Sequence, residues 1–297
     1  MRKNNFNRRE FIRASALATA AGAVFMNAPK SIFAQQKGKT RVVLIRNKNL
    51  LDKLNKPNAD IVQQMLDDAV TTLLDINDPV EAWKSIIKPD DIVGLKTNVW
   101  RYLPTTEQVE SAIQKRVIDA GVKPKNFGKD DRGILNNPIF QKATALINAR
   151  PMRTHYWSGV GSLIKNYIMF VPRPSDYHDD SCADLAAIWK LPHVAGKTRL
   201  NVLVMFTPLF HGVGPHHFSP EYTWGYNGLI VGLDPVACDA VGLEIIKAKR
   251  KEFFGEDRPL PVPAKHIQLA DTRHNLGTAD LNKIELIKLG WKEGILI

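Results

Sequence analysis

Three groups of residues carry most of the chemistry open to this chain. His211-Gly212-Val213-Gly214-Pro215-His216-His217 sets three imidazoles around two glycines that allow a tight turn. Imidazole is a common metal ligand and a proton acceptor near neutral pH. His211, His216 and His217 are therefore candidate ligands for a divalent metal, although their spacing matches no standard zinc pattern such as HExxH. Asp234-Pro235-Val236-Ala237-Cys238-Asp239 adds two carboxylates. Asp before Pro is the pattern of a helix N-cap followed by a first-turn proline, so Asp234 reads both as a cap and as a further metal ligand. Asp239 shares an apolar helix face with Val236 and Leu243, where a carboxylate needs a cation, a metal or several N–H donors. Lys96 and Lys165 are the cations expected to meet it.

Those lysines belong to the third group. Lys96-Thr97-Asn98 ends an apolar run, and Lys165-Asn166 interrupts another, Val160 to Phe170. In a shared crevice Lys96 and Lys165 would neutralise an anionic group, and Asn98 and Asn166, with Lys96, would bind a cofactor or ligand. Asp239, His211 and Lys165 would supply acid, base or catalytic charge. Metal-assisted hydrolysis is the reaction class this set points to. Two other readings use the same residues without catalysis: capture of an anionic small molecule, or an accessory role in an exported redox complex. His178-Asp179-Asp180 offers mixed ligands, but Asp180 fits better as the cap of a helix starting near Ser181. His155, His193, His266 and His274 read as structural or surface residues.

Several functions are excluded. No GxGxxG follows a strand, and neither a GxxxxGK[ST] loop nor a GxSxG elbow occurs. Cys182 and Cys238 are the only cysteines, too few for a zinc ribbon or an iron–sulfur cluster, and they read as two buried thiols. Aromatic and basic residues are not interleaved as single-strand binding would need, so no nucleic-acid partner is expected.

The elements that must position these groups alternate strand and helix. Strands are expected at 41–46, 91–96, 200–205, 227–232 and 284–289, and helices at 61–74, 106–120, 139–149, 181–189 and 235–249. Residues 126–137 read as a loop. This order predicts an α/β fold, a largely parallel sheet flanked by helices. It would be one large domain, with a two-lobed arrangement also open. Ligands of open α/β sheets lie beyond the carboxyl ends of the strands, where Lys96, His211 and Asp234 would converge.

The chain starts with a different signal. Arg8-Arg9 followed by Phe11-Ile12 precedes a small-residue apolar run, Ala14 to Met26, too short to span a bilayer. Residues 1–34 read as a twin-arginine (Tat) signal peptide cut after Ala34, leaving 35–297 as the folded domain, with an uncleaved signal anchor also open. The expected destination is the periplasm, the transport partner the Tat translocase, and no stable membrane span remains after cleavage. The leader holds six Lys/Arg and one acid, so its removal lowers the formal charge from +11 to +6. That balance suits an anionic small molecule and does not require nucleic acid.

At Asp91 to Asn98, Thr105 to Val109, Ile164-Lys165-Asn166, Gly212 to Pro215 and Gly228 to Asp239, the chain resembles the DUF362 family of α/β proteins. The resemblance is strongest over residues 90–290. It implies one domain of that family in an exported form. Some relatives carry ferredoxin-like cysteine clusters; this chain lacks those cysteines, so their redox chemistry does not transfer.

The metal reading makes a direct prediction. Mature protein purified folded, without chelator or affinity metal, is expected to hold a stoichiometric divalent ion by elemental analysis. His211→Ala or Asp239→Asn would lose it; protein without metal after reconstitution contradicts the reading.

Overall fold

A computed structural model describes residues 38–212 and 218–297. The twin-arginine segment, the cleavage site after Ala34, and His216 and His217 lie outside the described residues. No described helix is long and apolar enough to cross a membrane.

Apolar runs without alternation form the middle of an eight-stranded sheet, because a strand covered on both faces cannot expose a polar side. The strands are β1 (Thr40–Arg46), β2 (Val93–Lys96), β3 (Phe127–Asp130), β4 (Ala145–His155), β5 (Gly159–Gly161), β6 (Thr198–Leu209), β7 (Gly228–Gly232) and β8 (Ile284–Gly290). Their order is β3-β2-β4-β6-β7-β1-β8, with β5 paired to β4 off this path. Neighbouring pairs run parallel except where β7 lies against β6 and β1, and β5 against β4. The sheet is mixed but mostly parallel.

One face is covered by α1 (Ala59–Leu74), α2 (Pro79–Ile86) and α3 (Glu107–Asp119). Met65, Leu66, Trp83, Ile113 and Val117 pack there on Val43, Leu95, Ile147, Val202 and Val231. The other face carries α4 (Pro138–Lys142), α5 (Leu163–Asn166), α6 (Pro235–Phe254) and α7 (Lys265–Thr272). Phe140, Ile164, Tyr167, Val241 and Ile267 pack on Leu44, Leu146, Leu203 and Ile230. Gly242 lets α6 approach closely: a Cβ there would come within 2.6 Å of the Leu203 side chain. The result is one three-layer α/β/α domain.

Two expectations fail in the middle of the chain, for related reasons. The helix expected over 139–149 is a five-residue helix, α4, followed by β4. Apolar residues at 139, 140, 143, 146 and 147 imitate helical spacing, but those from 145 onward belong to a strand buried on both faces. Short apolar runs do not separate these cases. The loop expected over 126–137 contains β3, a half-exposed edge strand whose sequence lacks alternation and whose structure comes from pairing with β2. At 181–189, the single expected helix is a broken turn followed by a 3-10 segment, Leu185–Lys190. Asp180, Ser181 and Cys182 all take positive φ, at 46°, 60° and 62°. Asp180 does not cap a helix; it pairs with Lys265.

β2 and β4 are neighbours whose onward connections leave on opposite faces. The chain leaves β2 through α3 on one face to reach β3, and leaves β4 through α5 on the other to reach β6. Such a divergence opens a crevice at the carboxyl ends of the two strands.

Candidate functional site

The crevice floor is built around Lys96, the last residue of β2, which is fully buried. Its ammonium donates to Asp131 Oδ1 at 2.5 Å, to the Thr97 carbonyl at 2.8 Å and to Asn166 Oδ1 at 3.2 Å. All three of its protons are thus satisfied. Burial draws Lys96 down to about 8, against the pull of Asp131. Burial also works to raise Asp131, but the Lys96 charge and hydrogen bond, the Val99 N–H and the Arg150 charge outweigh it and hold Asp131 below its ordinary range. At neutral pH the pair is ammonium and carboxylate.

Asn166 links this pair to the sheet. Its Nδ2 donates to Asn148 Oδ1 at 2.9 Å, Asn148 Nδ2 to Asn201 Oδ1 at 3.2 Å, and Asn201 Nδ2 to the Leu233 carbonyl at 2.9 Å. The chain of amides crosses from α5 through β4 and β6. Thr105 holds the strand end: its hydroxyl donates to the Ala149 carbonyl and accepts from the Asn98 N–H.

Above this floor lies a cavity of about 290 Å³, at the small end for ligand sites, which Arg132, Arg150, Arg153 and Lys165 line together with Asn98, Trp100 and Asp131. Among the described residues Asp131 is its sole carboxylate, and that is committed to Lys96. Arg150 is buried and donates weakly to the Ser162 carbonyl, at 3.4 Å; its Nε has no acceptor among the described residues. Gly161 makes room for it, since a Cβ there would come within 2.5 Å of Arg150 Nη2. Arg153 is also buried. Its guanidinium lies over the Trp100 ring, 4.1 Å from the centroid, and its Nε and Nη1 meet no acceptor among the described residues. A register irregularity between Pro151 and Arg153 advances the alternation of β4, so Arg153 and His155 line the cavity with Arg150.

Burial lowers Arg150 to about 10, with Asp131 and Asp239 pulling the other way. It also lowers Arg153, which the neighbouring Arg150 depresses further. Lys165 is 3% exposed, and among the described residues its ammonium reaches only the Cys182 sulfur, at 3.5 Å. Burial brings it down to about 8; Cys182 opposes this and Arg150 adds to it. His155 is pushed far down by burial and by Lys165, Arg153 and Arg150, so its imidazole is neutral. Its Nδ1 accepts the Trp157 N–H, which leaves the proton on Nε2. His178 is stacked on Trp157 with ring centroids 3.8 Å apart, and is lowered to about 4 by burial and then by Lys165.

Of the residues singled out from sequence, Lys96, Asn98, Lys165 and Asn166 meet here. Asp234, His211 and Asp239 are elsewhere. β7 runs antiparallel to β6, so Asp234, just past its end, lies at the opposite edge of the sheet from the end of β2. Asp234 Oδ1 caps α6 through the Val236 and Ala237 N–H groups, and Oδ2 accepts from the Thr278 N–H. Burial raises it to about 6, against those bonds. His211 Nδ1 accepts from Arg250 Nη1 at 3.1 Å, and its ring packs against Tyr222 and Phe254. It does not line the cavity. Among the described residues, no group of three His, Cys, Asp or Glu side chains is placed to hold a metal ion.

Asp239 has neither lysine as partner. It accepts from the Ser162 hydroxyl at 2.6 Å and from the Leu163 and Ile164 N–H groups at 2.9 Å each. Burial raises it to about 7 against these donors. Of the ways to accommodate a buried carboxylate, N–H donors prevail over a cation because α5 begins directly against α6. Ser162 Oγ also lies 3.5 Å from His266 Nε2, but Asp239 bonds the serine rather than the histidine, and His266 Nδ1 has no partner among the described residues. The three do not form a nucleophile–base–orienter relay. Cys182 and Cys238 are both buried free thiols.

Sequence reasoning missed Asp131, Arg132, Arg150 and Arg153. The available signal was Asn148 and Arg150, two residues apart in an apolar stretch. That is strand spacing, obscured by reading the stretch as a helix.

The fold and site define an α/β protein with a buried cationic pocket at a switch point of its sheet. Residues 132–244 match the family model described as a domain of unknown function, DUF362, which supports the resemblance read from the sequence. The matched stretch includes Arg150, Arg153, Lys165 and Asp239; Lys96, Asp131 and the segments 91–98 and 105–109 precede it. No curated protein and no solved structure matches the chain.

A guanidinium buried without acceptors costs stability, so Arg153 is a liability to the ligand-free protein. Arg153→Met is expected to leave that protein as stable as the parent or more stable, measured by urea unfolding. A loss above about 2 kcal/mol exceeds what the Trp100 contact supplies and would make Arg153 a structural residue.

Proposed function

We propose that this chain binds a small organic anion, a carboxylate or phosphoryl compound, in the pocket formed by Arg150, Arg153 and Lys165. The observation that carries this reading is the set of unpaired guanidinium donors, Arg150 Nε and Arg153 Nε and Nη1, buried at the cavity. Buried charges are ordinarily paired. Here the two nearby carboxylates are spent, Asp131 on Lys96 and Asp239 on Ser162 and two backbone N–H groups, so an incoming anion supplies the missing acceptors. The Arg153 guanidinium lies over the Trp100 ring, and a guanidinium suits bidentate contact with a carboxylate or phosphate. The geometry favours binding over metal-assisted hydrolysis, because His211 and Asp234 are committed to Arg250 and to the cap of α6.

Titration calorimetry with inorganic phosphate and with lactate tests the reading. Binding of at least one is expected, and Arg153→Ala should weaken it about ten- to hundredfold, the loss of one or two charge-assisted hydrogen bonds. Affinity should fall as pH rises through about 8, where Lys165 gives up its proton. In Lys165→Met that step should vanish. No heat with either anion at any pH overturns the proposal.

The twin-arginine leader supports export of the folded chain to the periplasm, where the pocket would meet extracytoplasmic solutes. Replacing Arg8-Arg9 by Lys-Lys is expected to retain the protein in the cytoplasm on cell fractionation. Unchanged distribution would refute the Tat assignment.

A further inference from the structure

We infer that Lys165 is a nucleophile, whose amine condenses with the carbonyl of a small oxo acid while Arg150 and Arg153 hold the acid's carboxylate. This narrows the anion-binding reading to one substrate class and rests on it.

The contrast between the two buried lysines carries the inference. Lys96 is immobilised by three acceptors, one of them a carboxylate, and does not line the cavity. Lys165 lines the cavity, and its one hydrogen bond among the described residues goes to a thiol sulfur. A lysine buried for structural ends needs the first arrangement. The second leaves a lone pair obtainable beside an anion-binding wall.

The groups around Lys165 favour the free amine. Arg150, Arg153 and His155 come from β4, His178 and Cys182 from the strained segment ending at Cys182, and His266 from α7. Both guanidiniums are cationic, and the three imidazoles are lowered and neutral at pH 7. Cys182 is the one group among them that can turn negative, and burial raises its thiol, against the pull of Lys165. Among the described residues no carboxylate contacts the amine. Desolvation beside other cations is a recognised way to prepare a lysine for carbonyl chemistry. Burial accordingly brings Lys165 to about 8, so free amine is present at neutral to mildly alkaline pH.

The step balances without a co-reactant. The Lys165 nitrogen forms a bond to the carbonyl carbon, whose π electrons pass to oxygen. The oxygen leaves as water with the two amine protons, giving a C=N bond. A cavity of about 290 Å³ accommodates an acid of only a few carbons.

Borohydride trapping tests this. The mature protein is incubated with pyruvate or glyoxylate, reduced, digested and analysed by mass spectrometry, with lactate titrated in parallel as the carboxylate that lacks a carbonyl. The expected result is a single adduct on Lys165, with the mass of the oxo acid less one oxygen atom. It should be suppressed by excess lactate, absent in Lys165→Arg, and unchanged in the surface control Lys247→Arg. Circular dichroism checks that the Lys165 variant folds. Lactate binding with no adduct from either oxo acid overturns the nucleophile and leaves anion binding standing. No binding of lactate or phosphate removes both. Adducts spread over several lysines, as in urea-unfolded protein, also overturn the assignment.

Discussion

The buried ammonium of Lys96 is the constraint on which the site depends. A charge at the end of a central strand, wholly removed from water, must be neutralised and hydrogen-bonded in full. Asp131, Asn166 and the Thr97 carbonyl do this together, drawing the residue after β3, the end of β2 and the short helix α5 to one point. The amide chain Asn166-Asn148-Asn201 carries the same demand across β4 and β6, since each buried amide must find partners in turn. A half-satisfied network here would cost more than an apolar core. The geometry of the crevice is therefore tightly determined, although it lies where loops begin.

Satisfying Lys96 has a consequence for its neighbours. Asp131 is the carboxylate nearest the two guanidiniums, and its oxygens are taken by Lys96 and the Val99 N–H. Asp239, the other buried acid in reach of Arg150, is occupied by Ser162 and two backbone N–H groups. Among the described residues, Arg150, Arg153 and Lys165 are left without a paired anion, in a cavity open enough to admit one. Proteins tolerate such stored cost mainly where a ligand relieves it. Core and pocket thus share their polar groups, the core taking the acids and the pocket keeping the bases.

The reversal of β7 decides what the pocket lacks. In a fully parallel sheet, the polar ends of β2, β6 and β7 would all reach one edge. With β7 antiparallel, Asp234 caps α6 at the far edge, and α6 then returns along the sheet to set Asp239 against the start of α5. His211 leaves the long strand β6 toward Arg250 near the end of α6 and is held among aromatic rings. The two acids of the Asp234 to Asp239 segment therefore work as a cap and a clamp.

Local sequence determined the α/β class, the strands 41–46, 200–205 and 284–289, the long helix from Pro235 and the cap at Asp234. Each follows from periodicity or capping chemistry among residues close in the chain. It also marked Lys96, Asn98, Lys165 and Asn166, because polar groups at the ends or in the middle of apolar runs must have partners. Tertiary structure alone decided who those partners are. Lys96 meets Asp131 because β3 pairs with β2, an edge strand whose own residues carry no strand signal. Arg150 and Arg153 reach the cavity because β4 is buried on both faces and shifts register at Pro151, so its apolar spacing imitated a helix. Asp239 took N–H donors rather than a lysine because α6 crosses the sheet beside α5. Such pairings join residues tens of positions apart, and they depend on strand direction and register, which local propensity does not encode.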